Sequence, residues 1–341
     1  MADDREHDRF LGLDREDADF AKKTVGNLVL NAVTWPLQCV KTLIQLGHEP
    51  FPLSTGRVFV CAGRNAYFLP NAFSYGRQLA TQQGFTILYT GLDAASVALI
   101  TNKLTTRCMI KYIDKNYPEI GGIEEVPQDA EEKDLTDHQS FKRQLRNAIR
   151  ESVVVVAATV VSRPFTVIAI RQIGQLIGKE VKYGSVFSSL KIIGNEEGPA
   201  GLFSGLVPQI VGNLVIVWGV HALGHIADRA LVHAGVYEEE DEQSKKNAKD
   251  LGAFLNIAVP YIVNSWSYPY TVVSTVMAVA GSGLAVSVLP YSPSFGAWQN
   301  AFDYLSPSGL KRGSRLFLRE QIGAVSVGAD QQLYASNKHF V

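Results

Sequence analysis

The amino-acid sequence predicts an all-α membrane protein made of three diverged copies of one two-helix unit, with five membrane-crossing helices and short interfacial helices. Three observations carry the prediction. Five mostly apolar segments recur along the chain, at 23–46, 92–113, 145–177, 206–231 and 251–280, and about 20 such residues span the ~30 Å of bilayer hydrocarbon. A proline stands inside each odd-numbered segment, at Pro36, Pro164 and Pro269. Acid is gathered into two stretches, 118–140 and 237–250, that follow the second and fourth segments as solvated loops would. This clustering explains why the mean hydropathy is only +0.04 although hydrophobic residues make up 46% of the chain. A net charge of −1 without a basic stripe excludes nucleic acid as a partner class.

Residues 1–19 form an acidic N-terminal segment. A secretory signal starts basic and a mitochondrial presequence is poor in acid, so neither is expected here. Residues 20–117 form the first repeat. Its two spans flank a region where Phe68, Phe73 and Leu79 predict a short surface helix. After the 118–140 loop, residues 141–236 repeat the plan around the surface helix SVFSSLKII and include the most apolar run of the chain, SVVVVAATVVSRPFTVIAI. After the 237–250 loop, residues 251–313 begin a third copy with FGAWQNAFDYL as its surface helix. The tail, 314–341, offers only IGAVSVGA as an apolar run, too short to span, so a sixth crossing helix is not expected. A repeat with a period near 100 residues organises the whole chain.

The prolines lie at intervals of 128 and 105 residues. An interior proline removes a backbone hydrogen bond and kinks its helix. Downstream of the first two, Gly84–Gly91 (GFTILYTG) and Gly198–Gly205 (GPAGLFSG) share two glycines around an aromatic and a small polar residue, and Gly309 and Gly313 give a shortened echo. Here the chain resembles the mitochondrial carrier family, whose signature is P-x-[DE]-x-x-[KR] followed by acid-glycine and aromatic-x-glycine elements. The likeness covers residues 20–313. Within that family, WPLQCVKTLIQLGHEPFP, KYGSVFSSLKIIGNEEGPAGLFSGLVPQIVG, SYPYTVVSTVMAV and LPYSPSF are similar to the outer-membrane carrier homologs.

The departures bear on function. In carriers the charges after the prolines pair between helices and close one mouth of the cavity. Here the acidic positions hold Gln38, Thr166 and Thr271, and the basic positions hold Lys41, Ala169 and Ser274, so one charge of six remains. Nor does the gate network of the even helices occur at KYIDKNY or HIADRALVH. Alternating access needs two competing gates, so carrier-type exchange is not expected. Polar residues nevertheless persist in the spans. Asn27, Asn31, Gln38, Lys41 and Gln45 stud the first at helical spacing, and others stud each later span. Intramembrane polar groups of this number point to function. Without a sixth helix, a polar-lined bundle stays open to lipid along one side.

The resemblance implies an insertase of the mitochondrial outer membrane, multi-pass, that places tail-anchored and other α-helical client proteins and scrambles membrane lipids. The groove residues expected on this reading are Lys41, Asn213 and Tyr268, then Arg163, Gln209 and Asn264, with Pro36, Pro164 and Pro269 as the repeat kinks. In the homologs the position of Asn213 carries an acid in some members, so this chain keeps the polarity there without the charge. Two alternatives stand beside it: a solute carrier of the inner membrane, and a non-catalytic receptor or scaffold for apoptotic or metabolic partners. His221, His225 and Asp228 have a spacing that would fit a metal, but solvated polar residues near a helix end are the expected reading. Gly174 and Gly178 are expected to serve close packing. Cys39, Cys61 and Cys108 lack metal spacing and read as packing residues. No nucleophile elbow, phosphate-cradling loop or zincin pair occurs, so neither covalent catalysis nor a cofactor is expected.

Overall fold

The computed structural model describes residues 9–10, 13–58, 63–122, 135–234, 242–287, 295–307 and 309–335. Cys61 and the acidic residues of 123–134 and 237–241 lie outside them. After a two-strand ribbon, β1 (Arg9–Phe10) and β2 (Leu13–Asp14), the first repeat consists of α1 (Arg15–Gln45), β3 (Ser54–Arg57), β4 (Asn65–Leu69), α2 (Ala72–Gln83) and α3 (Leu92–Asn116). The second runs through α4 (Asp137–Gly178), α5 (Val186–Glu196), α6 (Pro199–Leu202) and α7 (Leu206–His233). The third holds α8 (Glu242–Val279) and α9 (Trp298–Leu305), followed by β5 (Arg319–Gln321), β6 (Val325–Val327) and β7 (Leu333–Ala335). Among the described residues no helix follows Leu305.

Local chemistry sets these bounds. Asn71 caps α2 by accepting from the Ser74 amide at 2.8 Å, and reciprocal capping boxes start α4 at Thr136–Gln139 and α5 at Ser185–Ser188. The box at Thr136 starts α4 inside the acidic stretch 118–140, earlier than hydropathy predicts. Likewise α8 takes in residues 242–250, whose Glu, Lys and Ala are good helix formers. Phe68 lies in β4 instead of the surface helix, which begins at Ala72. Of the five long helices, α4 and the segment Pro199–His233 hold a continuous apolar window long enough to cross a bilayer. At 31, 25 and 38 residues, α1, α3 and α8 also have the length, since 25 residues rise about 37 Å. Their apolar runs are broken by polar residues.

The long helices form an arc in which α3 lies along α4, α4 along α7, and α7 along α8. The second halves of α1, α4 and α8 converge, and the core sits at that end. Trp35, Cys39 and Leu43 of α1 pack with Tyr75 and Leu79 of α2. Ile168 of α4 packs with Ile193 of α5, together with Val279 and Leu284. Val272 and Val276 of α8 pack with Ala301 and Leu305 of α9. Each repeat thus seats its kinked helix on its own surface helix, and each fully buried Leu or Ile there is worth roughly 1.5–3 kcal/mol. Gly174 and Gly178 let α4 approach the segment after α8, since a Cβ at Gly178 would lie 2.8 Å from that of Ala285.

Toward the other end Val25, Val29 and Val33 of α1 and Phe254, Ile257, Tyr261 and Trp266 of α8 are exposed. The tail folds back across the closed end. There β5 adds to the β3–β4 hairpin as a third antiparallel strand, pairing Leu69 with Arg319 and Tyr67 with Gln321. Arg319 forms a buried ion pair with Glu49 and donates to the Pro70 carbonyl at 2.9 Å.

Candidate functional site

The site grows from a junction repeated three times. The residue before each repeat proline donates a hydrogen bond to the carbonyl just before a motif glycine. Trp35 Nε1 reaches the Thr90 oxygen at 3.0 Å, Arg163 Nε reaches that of Ser204 at 3.0 Å, and the Tyr268 hydroxyl reaches that of Arg312 at 2.6 Å. The following glycines, Gly91, Gly205 and Gly313, have φ of 84°, 68° and 71°. That left-handed backbone turns the chain sharply, and a side chain would strain it. Space forbids one as well: a Cβ at Gly205 would lie 2.5 Å from the Ser274 carbonyl oxygen. The third repeat keeps this joint although no helix hangs from Gly313.

The joint relocates Arg163. Arg163 is 1% exposed and also donates to the Ser274 carbonyl at 3.2 Å, tying α4 to α8 and to the turn that precedes α7. It therefore lies inside the wall and not on a groove surface. Tyr268 does both jobs. Its hydroxyl accepts from Gln45 Nε2 at 3.1 Å, and its ring lies 5.3 Å beneath the Lys41 ammonium. Thr275 Oγ1 donates to the Thr271 carbonyl at 2.9 Å and lies 3.4 Å from Gln45 Oε1, so Lys41, Gln45, Tyr268 and Thr275 come together where α1 meets α8 at the closed end. Cation–π contact contributes about 0.5–2 kcal/mol and leaves the ammonium without a carboxylate partner in this seam.

Above that seam each of the two helices carries a polar stripe. Asn27, Asn31, Thr34, Gln38, Lys41 and Gln45 share one face of α1, at alternating spacings of four and three. Asn264, Tyr268, Thr271 and Thr275 do the same on α8. Asn264 is exposed there, its amide donating to the Pro260 carbonyl at 2.7 Å.

The back wall, over α4 between α3 and α7, carries a cleft of about 230 Å³ lined by Asn102, Thr106, Glu151, Thr159 and Asn213 with apolar neighbours. Gln209 Nε2 donates to Asn213 Oδ1 at 3.1 Å, and Asn213 Nδ2 donates to Thr159 Oγ1 at 2.8 Å. At the mouth, His221 lies 2.8 Å from the Glu151 carboxylate and 2.9 Å from Gln144 Oε1. His225 meets Ser140 at 3.1 Å, and with His221 it stitches α7 to α4. The structure thus gathers the expected residues into two places, Lys41 with Tyr268 and Gln209 with Asn213.

Sequence reasoning missed several members. Glu151 is the acid heading the most apolar run, and the cost of intramembrane charge marks it. Trp35 is legible only by superposing the three proline sites. Arg171 is fully buried, its fork on Glu197 and its Nε on the Ala278 carbonyl at 2.8 Å. Glu197 precedes Gly198, so the acid-glycine element was the available signal. In the outer repeats the same position, seven after the proline, holds Leu43 and Val276.

No family model matches the chain. Among curated proteins it is 31% identical over 304 residues to mitochondrial carrier homolog 2 of Mus musculus and 32% identical over 304 residues to that of Homo sapiens, covering 89% of this chain and 95% of each relative. It is 31% identical over 303 residues to mitochondrial carrier homolog 1 of Mus musculus, covering 85% of this chain and 74% of the relative.

Proposed function

The chain belongs to the mitochondrial carrier homolog family, and from that premise we propose that it is an insertase of the mitochondrial outer membrane with α1, α3, α4, α7 and α8 as its five spans. Its clients are tail-anchored and other α-helical proteins, and lipid headgroups use the same route. One observation carries the reading: α1 and α8 meet through Lys41, Gln45, Tyr268 and Thr275 at one end, while residues 16–34 of α1 and 250–258 of α8 include no buried residue, and each helix bears a polar stripe. Val29 and Val33 on α1 and Trp266 on α8 are exposed on the faces opposite the stripes, as lipid-facing residues would be.

A polar flank crossing bare hydrocarbon loses its hydrogen bonds to water at a cost of several kcal/mol per group. Amides and hydroxyls on α1, α8 and the back wall replace part of that water, while the open side lets the apolar part of the client pass directly into lipid. This lowers a barrier and transforms no bond.

Reconstitution into liposomes with a tail-anchored substrate tests the proposal. Insertion should exceed that of protein-free liposomes. Equal insertion would overturn it, and saturable metabolite exchange in the same vesicles would favour a solute carrier.

A further inference from the structure

In the first two repeats the chain leaves its motif glycine as a long helix, α3 from Gly91 and α7 from Gly205. After Gly313 it does something else. Two successive turns are closed by the Arg312 amide on the Gly309 carbonyl and the Ser314 amide on the Lys311 carbonyl, both at 3.1 Å. They bring Gly313 beneath the place where α1 meets α8. A Cβ there would lie 3.0 Å from the Tyr268 hydroxyl oxygen, 3.3 Å from Gln45 Cγ and 3.4 Å from the Lys41 carbonyl oxygen, and Gly313 itself is buried. Bare backbone thus fills the underside of the seam. The chain then crosses to the first repeat. Leu316 packs against the core of α1 and α2, and its carbonyl accepts from the Ala72 amide at 2.7 Å. β5 follows on β4, with Arg319 on Glu49 and Glu320 on Arg64 at 2.6 Å. Farther on, the Leu333 carbonyl accepts from the Leu53 amide at 2.7 Å, at the foot of β3. Residues 309–321 are therefore a strap that starts in the third repeat and is fastened on the first.

Contact between α1 and α8 themselves rests on the Lys41–Tyr268 cation–π pair and the Gln45 amide, interactions that water replaces at little net cost. We infer that the strap is the seal of the closed end. Seated, it stops water and ions among the polar stripes from passing between Lys41 and Tyr268 to the far side; unseating β5 opens that path. This rests on the proposed reading of α1 and α8 as spans beside a water-accessible groove. The stripes run from Asn27 to Gln45 on α1 and from Asn264 to Thr275 on α8, so the path needs no further lining, only the removal of a plug. Arg319 and Glu49 are its latch, since both lie outside the stripes and hold β5 in place. With the Lys41 ammonium at the seam, an anion is the ion drawn to it.

Chloride entry into vesicles tests this. The full chain, with Cys61 and Cys108 replaced by Ser, is reconstituted into phosphatidylcholine vesicles holding a chloride-quenched dye. With the strap intact, entry should stay near that of protein-free vesicles. Arg319→Ala with Glu49→Gln unlatches β5 without stranding a carboxylate and should raise entry severalfold. Adding Tyr67→Cys and Gln321→Cys, Cα partners across β4 and β5 at a separation that suits a disulfide, should return entry to the starting level when oxidised and release it again on reduction. Gly313→Val tests the seal apart from the latch. Its side chain is strained at a φ of 71° and meets the Tyr268 hydroxyl, so it should lift the strap from the seam and admit chloride while β5 stays protected from protease. Entry equal to that of the intact chain in both the unlatched and the Gly313→Val forms overturns the inference, as does a leak that the oxidised disulfide leaves unchanged. Client insertion is read separately in the same vesicles. A chain that seals but inserts nothing refutes the groove's proposed use alone, and one that inserts with an idle strap refutes the seal alone.

Discussion

Tyr268 holds three partners at once: Lys41 over its ring, the Gln45 amide on its hydroxyl and the Arg312 carbonyl in front of it. Replacing it by Phe keeps the ring and removes both hydrogen bonds, leaving the carbonyl short of a donor. We expect a loss of about 1–3 kcal/mol, seen as a lower unfolding midpoint in detergent, with Trp35→Phe shifting it in the same direction by losing the equivalent bond. An unchanged midpoint for both would show that the joints do not bear on stability. The joint itself was hidden in the sequence because indole, guanidinium and phenol share no letter, only an N–H or O–H at the right reach. The prolines and glycines that flank it were legible because their roles depend on backbone, which few residue types can supply. Lys41 and Asn213 stood out in the sequence as polar groups in apolar runs, and the structure sets Lys41 over Tyr268 and Asn213 between Gln209 and Thr159. Arg163 was misplaced by the same rule, which tells that a buried charge has partners but not whether they lie in a groove or a wall.

At the scale of the element, the five long helices and three surface helices follow from hydropathy and caps, whereas the tail does not. Its strand β5 pairs with β4 some 250 residues earlier in the chain, and such pairing leaves no local periodicity to read. The Arg319–Glu49 pair secures it. Arg319→Ala strands a buried carboxylate and should cost about 3–5 kcal/mol, with β5 becoming open to limited proteolysis, and adding Glu49→Gln should restore part of the loss. A tail equally protected in Arg319→Ala would contradict this. The turn after α1 also titrates. Burial pushes the His48 imidazole down from 6.5 to about 4, so the unfolded chain takes up the proton first. Stability from this group is complete above about pH 6.5 and is lost as pH falls toward about 4, by at most about 3 kcal/mol. Burial holds the neighbouring Glu49 carboxyl above its ordinary value, against the pull of Arg319 and Arg312, which acts in the opposite sense. The difference between wild type and His48→Gln isolates the histidine: between about pH 7 and about pH 4.5 the wild type should lose more of its unfolding midpoint than the variant.

For the whole molecule, the proposed groove rests on α1 and α8 meeting at one end only through Lys41, Gln45 and Tyr268. Lys41→Glu places a carboxylate against the Tyr268 ring and reverses the one charge left at the six gate positions. The contact it removes is worth only about 0.5–2 kcal/mol, so the folded bundle should persist while client insertion into liposomes changes severalfold. Insertion equal to wild type at equal protein levels would exclude the groove as the route. The absence of a sixth apolar segment was readable from the sequence, and among the described residues no helix follows Leu305. The meeting of Gln45 with Tyr268 and Thr275 was not readable there, because it depends on how three kinked helices converge.

The pairing of β5 with β4 has a consequence for compartments. β4 follows the far end of α1, so with α1 as a span, as proposed above, β5 lies across the membrane from the start of α1. On that topology the start of α1 and the strands β5–β7 face different aqueous spaces, and a protease that reaches one is kept from the other. A modifying enzyme confined to one side of the membrane would then meet one of the two, never both.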